Sequence, residues 1–280
     1  MPIEPHEHDV FEESHPRGDL VSQHTAATRG RLQHEVTQRE ENKQSNLERD
    51  FFSLQIQFAH CVARVKGIPL HEALLRNTCL YRRFGLPRPL DPKNPVWERF
   101  LSDLELAEHP EDVAYAYATE HIAPRESSGR CFYYDYDAEE KAIHMHFANN
   151  DLDPRGPLSD ARMPARLAEL RAMFEEIKNQ HPEAIAVSGS SWIYNVPNYR
   201  RLFPPEYTKE PKRAPNGYPG MSVWGQFINR NGQLKVKEVS EFLGKLSVAQ
   251  TEEDIPNAFP MKELAVKGNI EEFYKFYGIT

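Results

Sequence analysis

Apolar positions along the chain follow first one period and then another. From Leu47 onward, Leu47, Phe51, Leu54, Phe58, Cys61 and Val65 recur at alternating steps of four and three, the stripe of an amphipathic helix. Gly67 is placed to end that helix, and Pro69 to open a second one carrying Ala73, Leu74, Leu80 and Tyr81. After the irregular stretch 85–92, Val96, Trp97, Phe100 and Leu104 predict a third helix over 95–106, and a fourth covers 111–119. Beyond Pro124 the period falls to two. Cys131 to Tyr136 reads as an aromatic strand, and 137–140 turn it into a second strand over 141–148. In that second strand Ile143, Met145 and Phe147 share one face, with His144 and His146 on the other.

Ser159 is placed to cap a helix running to Gln180, whose buried side carries Leu167, Leu170, Phe174 and Ile177, and His181-Pro182 stops it. Ala184 to Val187 has the uninterrupted apolar character of a strand buried on both faces. The proline-rich stretch 204–220 predicts an exposed loop. A strand is expected over 221–228, turned at Asn231-Gly232, then a short helix with Val236, Val239, Leu243 and Leu246. Ile270, Phe273, Tyr274 and Tyr277 mark a final helix. The order of elements predicts an α+β (α/β-like) fold, an N-terminal helical cap over 46–124 and a mixed sheet with a crossover helix over 125–280. Residues 1–45 show no period and read as a disordered or extended leader, which carries five of the twelve histidines and offers a contact for a protein partner.

Composition narrows the function without naming it. Hydrophobic residues make up 39% of the 280, and Lys+Arg 34 against Asp+Glu 42 leaves a net charge of −8. An acidic balance argues against a general nucleic-acid binder, which needs cations facing phosphates. No apolar run reaches the length of a membrane span, and the N-terminus lacks the apolar core of a secretory signal. The expected location is cytoplasmic, with no membrane partner. Cys61, Cys79 and Cys131 are odd in number and form no C-x-x-C pair, so reduced thiols are expected, with neither a disulfide framework nor a zinc site.

Three segments carry candidate chemistry. His144 and His146 lie on one strand face, where they suit a general base or, with Asp151 or Asp153, a metal site; His146, nearer the strand end, is the better candidate, and no bound metal is expected. Ser188-Gly189-Ser190-Ser191 lacks the G-x-S-x-G of a nucleophile elbow, so its hydroxyls are expected to line a cleft. Trp192, Asn195, Arg200 and Arg201 follow at once and, with Ser190, are expected to bind a small polar or anionic ligand.

The segment Ile143-His144-Met145-His146-Phe147, then Gly156-Pro157-Leu158, a helix, and His181-Pro182 through Ser191-Trp192 resembles the acyltransferase-like domain of the GNAT (N-acetyltransferase) superfamily. The resemblance covers about a third of the chain. It implies acetyl-CoA or another acyl-CoA as cofactor, with Arg155, Gly156 and Ser159 at the pyrophosphate and Tyr199 as the acid that protonates a leaving thiolate. Where that family has a Q/R-x-x-G-x-G/A loop, this chain has one glycine followed by a proline that lacks an N–H. The expected activity is therefore acyl transfer, or ligand binding by a degenerate relative. The alternatives are a non-enzymatic interaction protein and a metal-dependent enzyme using His144 and His146.

Overall fold

Helix α1 occupies 48–66 and turns inward Phe51, Leu54, Phe58 and Cys61 of the apolar stripe; Gly67 ends it at φ +65°, a backbone conformation that a side chain disfavours. The computed structural model describes residues 48–121, 130–151, 153–214, 218, 221–229 and 233–280. The leader over 1–45 and the Asn231-Gly232 turn lie outside them. Helices α2 (Leu70–Asn77), α3 (Leu80–Arg83), α4 (Pro95–Glu105) and α5 (Pro110–His121) follow. The start of α4 is set by Asn94, whose side-chain oxygen accepts from the Val96 and Trp97 main-chain N–H groups at 3.0 and 3.4 Å, with Pro95 in the first turn.

The hairpin β1 (Phe132–Asp137) and β2 (Ala142–Phe147) comes next, then α6 (Met163–Gln180) and β3 (Ala186–Ser191). The short helices α7 (Pro197–Arg200) and α8 (Pro205–Lys209) lead to a two-residue strand β4 (Lys212–Arg213). Helices α9 (Met221–Trp224), α10 (Val236–Val248) and α11 (Asp254–Ala258) precede β5 (Leu264–Asn269) and α12 (Ile270–Tyr277). The sheet order is β1-β2-β3-β5-β4, with β2 and β3 parallel and every other neighbour antiparallel. The fold is thus mixed, α+β in class, with α6 carrying the chain from β2 to its parallel neighbour.

Two aromatic cores lie within the unit 47–280. One joins α1–α5 to residues of 223–259 and centres on Phe58, whose ring meets Tyr218, Trp224, Phe242 and Phe259 at centroid distances of 5.1–5.8 Å. The other lies on one face of the sheet, where Ile143, Met145, Val187 and Val266 meet Phe174 of α6 and Phe273 of α12. The opposite face carries Asp135, Asp137, His144, His146, Ser188, Ser190 and Lys267, polar side chains that alternate with the buried ones in strand register.

Four expectations are corrected. Residues 221–227 are helical, not a strand: Val223, Trp224 and Phe227 all enter the helical core, whereas strand alternation would turn adjacent Val223 and Trp224 to opposite faces. The buried strand begins at Ala186 and runs on through Ser191, while Ile185 is 62% exposed. Ser159 does not cap α6; a 3-10 turn over Asp160–Arg162 intervenes, and the Ser159 hydroxyl donates back to the Gly156 carbonyl at 2.9 Å. The stretch 204–220, expected as an exposed loop, contains α8 and β4, and Tyr207 and Thr208 of α8 are buried because Tyr207 packs against Phe203 and Phe273.

Candidate functional site

The parallel pairing of β2 with β3 covers only Ala142↔Ala186, Ile143↔Val187 and His144↔Ser188. Both strands continue three residues further, β2 still paired with β1 through Phe147 and β3 still paired with β5 through Ser191. Beyond His144 and Ser188 the sheet therefore splits, with 145–147 on one side of the opening and 189–191 on the other. Alternate residues of a strand direct their N–H and C=O to alternate edges. Each side of the opening thus presents main-chain groups with no strand opposite.

Tyrosines floor this opening on the helix-covered face. The Tyr199 ring, fixed by α7, lies 5.5 Å from Phe147 on one side and 5.2 Å from Tyr194 on the other, edge to face in both cases. Tyr194 and Tyr207 share a hydrogen bond of 3.0 Å between hydroxyls, and Tyr199 is hydrogen-bonded to Tyr194 in turn. A Cβ at Gly189 would stand 2.1 Å from the Tyr194 hydroxyl and 2.9 Å from that of Tyr207, so the strand needs glycine here for close approach. Burial, first among the causes, pushes all three phenols up, and they remain neutral hydrogen-bonding groups.

The polar face above the opening is organised in histidine–carboxylate pairs. Ser188 Oγ lies 2.6 Å from His144 Nδ1, and His144 Nε2 is 3.7 Å from Asp137 Oδ2. His146 Nε2 is 2.8 Å from Asp135 Oδ2, and its ring stacks on Tyr133 at 4.9 Å. Ser190 Oγ donates to Glu263 at 2.9 Å. The histidines therefore turn to carboxylates of β1, away from Asp151 and Asp153, and among the described residues no three His, Cys, Asp or Glu side chains are grouped to hold a metal ion.

At the start of α6 every cation except Arg201 meets Asp151, Asp153 or Glu169. Arg155 donates through Nε and Nη2 to Asp153 at 2.9 and 2.7 Å, beside the turn where Gly156 takes φ +87°. Arg162 reaches Asp151 at 2.7 Å, and the buried Arg166 lies between Asp151 at 3.4 Å and Glu169 at 3.1 Å. The Arg155 side chain, as largest cause, holds Asp153 well below the usual carboxylate range; the Asp153 main-chain N–H is the largest cause for Asp151. Arg201 pairs with Asp160 and donates to Asn198, whose side chain donates to the Leu158 carbonyl at 2.9 Å. These contacts latch α7 to the segment after β2.

The expected site residues are thus spread over three places. Tyr199 is only 2% exposed beneath the sheet, whereas His146 stands on the opposite face. Asn195 donates to the Trp192 and Lys262 carbonyls at 2.6 and 2.8 Å and so holds the turn after β3. Trp192 packs its indole nitrogen 3.1 Å from the Cβ position of Gly225, with the Lys235 ammonium 5.7 Å from its ring. Arg200 is half-buried at the end of α7. Sequence reasoning did not single out Asp137, Gly189 or Tyr207. The signals were present in the polar side of the strand alternation and in a glycine within a strand, but their partners depend on register. A separate cavity of about 410 Å³ in the helical half is lined by Lys66, Asn77, Arg213, Tyr218 and Glu252, and there Lys66 pairs with Glu252 at 3.2 Å.

Against protein-family models, curated proteins and solved structures, the chain finds no match.

Proposed function

We propose that the protein is a degenerate relative of the GNAT acyltransferases that binds an extended, amide-bearing ligand in the opening between β2 and β3. One observation carries the reading: the parallel pairing ends at His144↔Ser188 while both strands run on, each held only along its outer edge. In the GNAT fold such a V between parallel strands receives the pantetheine arm. The arm's amides suit the bare main-chain groups of 145–147 and 189–191, as an added strand would. The tyrosine floor directs the ligand to the polar face.

The other half of coenzyme A suits this chain poorly. A diphosphate at the head of α6 would meet Asp151 and Asp153, both ionised and already holding Arg155, Arg162 and Arg166. It would also find Pro157, without an N–H, after the single glycine. We therefore read the site as a binder of the uncharged arm, with Ser190 on the β3 side of the opening. No transfer step through the coenzyme is assigned.

Hydrogen exchange followed by mass spectrometry tests this with pantetheine and acetyl-CoA. Pantetheine is expected to slow exchange in peptides spanning 145–147 and 189–191, and acetyl-CoA to bind no tighter. Unchanged exchange with both ligands would overturn the reading. Much tighter binding of acetyl-CoA would overturn the argument about the diphosphate.

A further inference from the structure

Three neighbouring strands bring together a set of side chains that ligand binding does not require. Asp137 ends β1, His144 is in the middle of β2, and Ser188 is in the middle of β3, all on the open polar face. Ser188 Oγ is 2.6 Å from one ring nitrogen of His144, and Asp137 Oδ2 is 3.7 Å from the other. The second Asp137 oxygen accepts from the Glu139 and Glu140 main-chain N–H groups at 2.9 Å each, which fixes the carboxylate and leaves Oδ2 for the histidine. The Glu140 N–H is the largest cause holding this carboxyl below its ordinary range. The His144 side chain is 44% exposed and Ser188 is half-buried, so an incoming molecule can reach both.

We propose that Ser188 is a nucleophile, with His144 as its general base and Asp137 as the residue that positions the imidazole, in hydrolysis of an acyl ester or thioester. Relative to the familiar serine triad the two ring nitrogens exchange roles, with Nδ1 facing the serine. Ser188 Oγ bonds the acyl carbon as its proton passes to His144 Nδ1. The carbon–oxygen or carbon–sulfur bond then breaks, and the leaving alcohol or thiol takes that proton. Water attacks the acyl-serine, His144 accepts the water's proton and returns it to Ser188 Oγ, and a carboxylic acid departs. The net reaction consumes one water and needs no oxidant or reductant. The opening begins at the next residue of each strand, so its unpaired main-chain N–H groups lie beside the acyl oxygen as that oxygen becomes negative. The acyl group is placed by the opening described above, but the nucleophile stands on its own three side chains.

A fluorophosphonate probe, applied to the full chain and followed by peptide mass spectrometry, tests the assignment. The expected result is one adduct per chain, on Ser188, absent from heat-denatured protein and from Ser188→Ala. His144→Gln should slow labelling by roughly 100-fold or more, the range of general-base assistance, and Asp137→Asn should slow it less. All three variants should stay folded, Ser188→Ala and His144→Gln with a Tm near wild type and Asp137→Asn with a lower one, since its carboxylate also accepts from the Glu139 and Glu140 N–H groups. Absence of an adduct on Ser188, labelling that survives denaturation, or a wild-type rate in His144→Gln would overturn the proposal. Pantetheine protection of 145–147 and 189–191 in Ser188→Ala reports on the ligand reading alone, so the two can fail separately.

Discussion

Gly189→Ala probes the tyrosine floor directly. The added methyl would stand 2.1 Å from the Tyr194 hydroxyl, 2.9 Å from that of Tyr207 and 3.0 Å from Tyr194 Cζ. Both rings are 2% exposed and locked by neighbours: Tyr194 against Tyr199 and Phe203, Tyr207 against Phe203 and Phe273. Neither can yield without disturbing the other. Overpacking of this kind costs about 1–3 kcal/mol, and breaking the hydroxyl chain adds about 0.5–1.5 kcal/mol. Reduced freedom of the unfolded chain returns about 0.4–1 kcal/mol. The expected net loss is about 1–4 kcal/mol, a fall in Tm on the order of 2–4 °C per kcal/mol for a unit of this size. Tyr194→Phe removes the 2.1 Å contact but keeps the ring, so Gly189→Ala should cost less in that background. Urea unfolding of the four proteins gives the coupling energy. A neutral or stabilising Gly189→Ala, or zero coupling to Tyr194→Phe, would refute this account of the floor.

Phe58→Ala should cost ~3–5 kcal/mol by urea denaturation, because it empties the centre of a four-ring cluster. Gly67→Ala and Gly244→Ala both add a methyl to open space, yet their signs should differ. The first forces a side chain to φ +65° and should destabilise by ~1 kcal/mol, whereas the second lies inside α10 and should stabilise by ~0.5–1 kcal/mol; thermal melts distinguish them. In alkali, the raised phenols of Tyr194, Tyr199 and Tyr207 stay protonated in the folded chain while the unfolded chain ionises near pH 10. Stability should therefore fall as pH rises above about 10, and absorbance at 295 nm should show these tyrosines titrating only on unfolding. In acid the sign reverses. Asp137, Asp151, Asp153 and Asp254 are all held below their ordinary range, so the stability they add is lost as pH falls below about 4. Urea midpoints at pH 5 and pH 3 should converge for Asp153→Asn relative to wild type.

Where local pattern and burial agreed, the sequence was readable. The 51–65 stripe and Gly67 give α1, and the alternation in 142–147 puts both histidines on the polar face. At 221–227 the same reading failed, because Val223 and Trp224 are apolar neighbours that suit a buried strand or a short helix equally well until the ring cluster they enter is known. β5 was missed, since Leu264-Ala265-Val266-Lys267-Gly268-Asn269 has a weak alternation and gains its place by pairing with β3. The site was legible as residue types and not as an arrangement. Ser188 and His144 are 44 positions apart, and only the parallel register brings them to 2.6 Å. Arg155 looked like a free cation because nothing local shows that Asp153 would fold back onto it.

The connectivity of the two cores has a consequence for modularity. The chain contributes 48–121 to the helical core and 131–207 to the sheet, returns to the helical core over 218–259, and ends this circuit by sliding β5 between β3 and β4. Neither half is a continuous stretch that recombination could lift into another protein. A cut after Arg213 would deprive β3 of its antiparallel neighbour and Phe58 of all four of its ring partners. Insertions should be tolerated at the crossings between the cores, whereas exchange of one half alone should not.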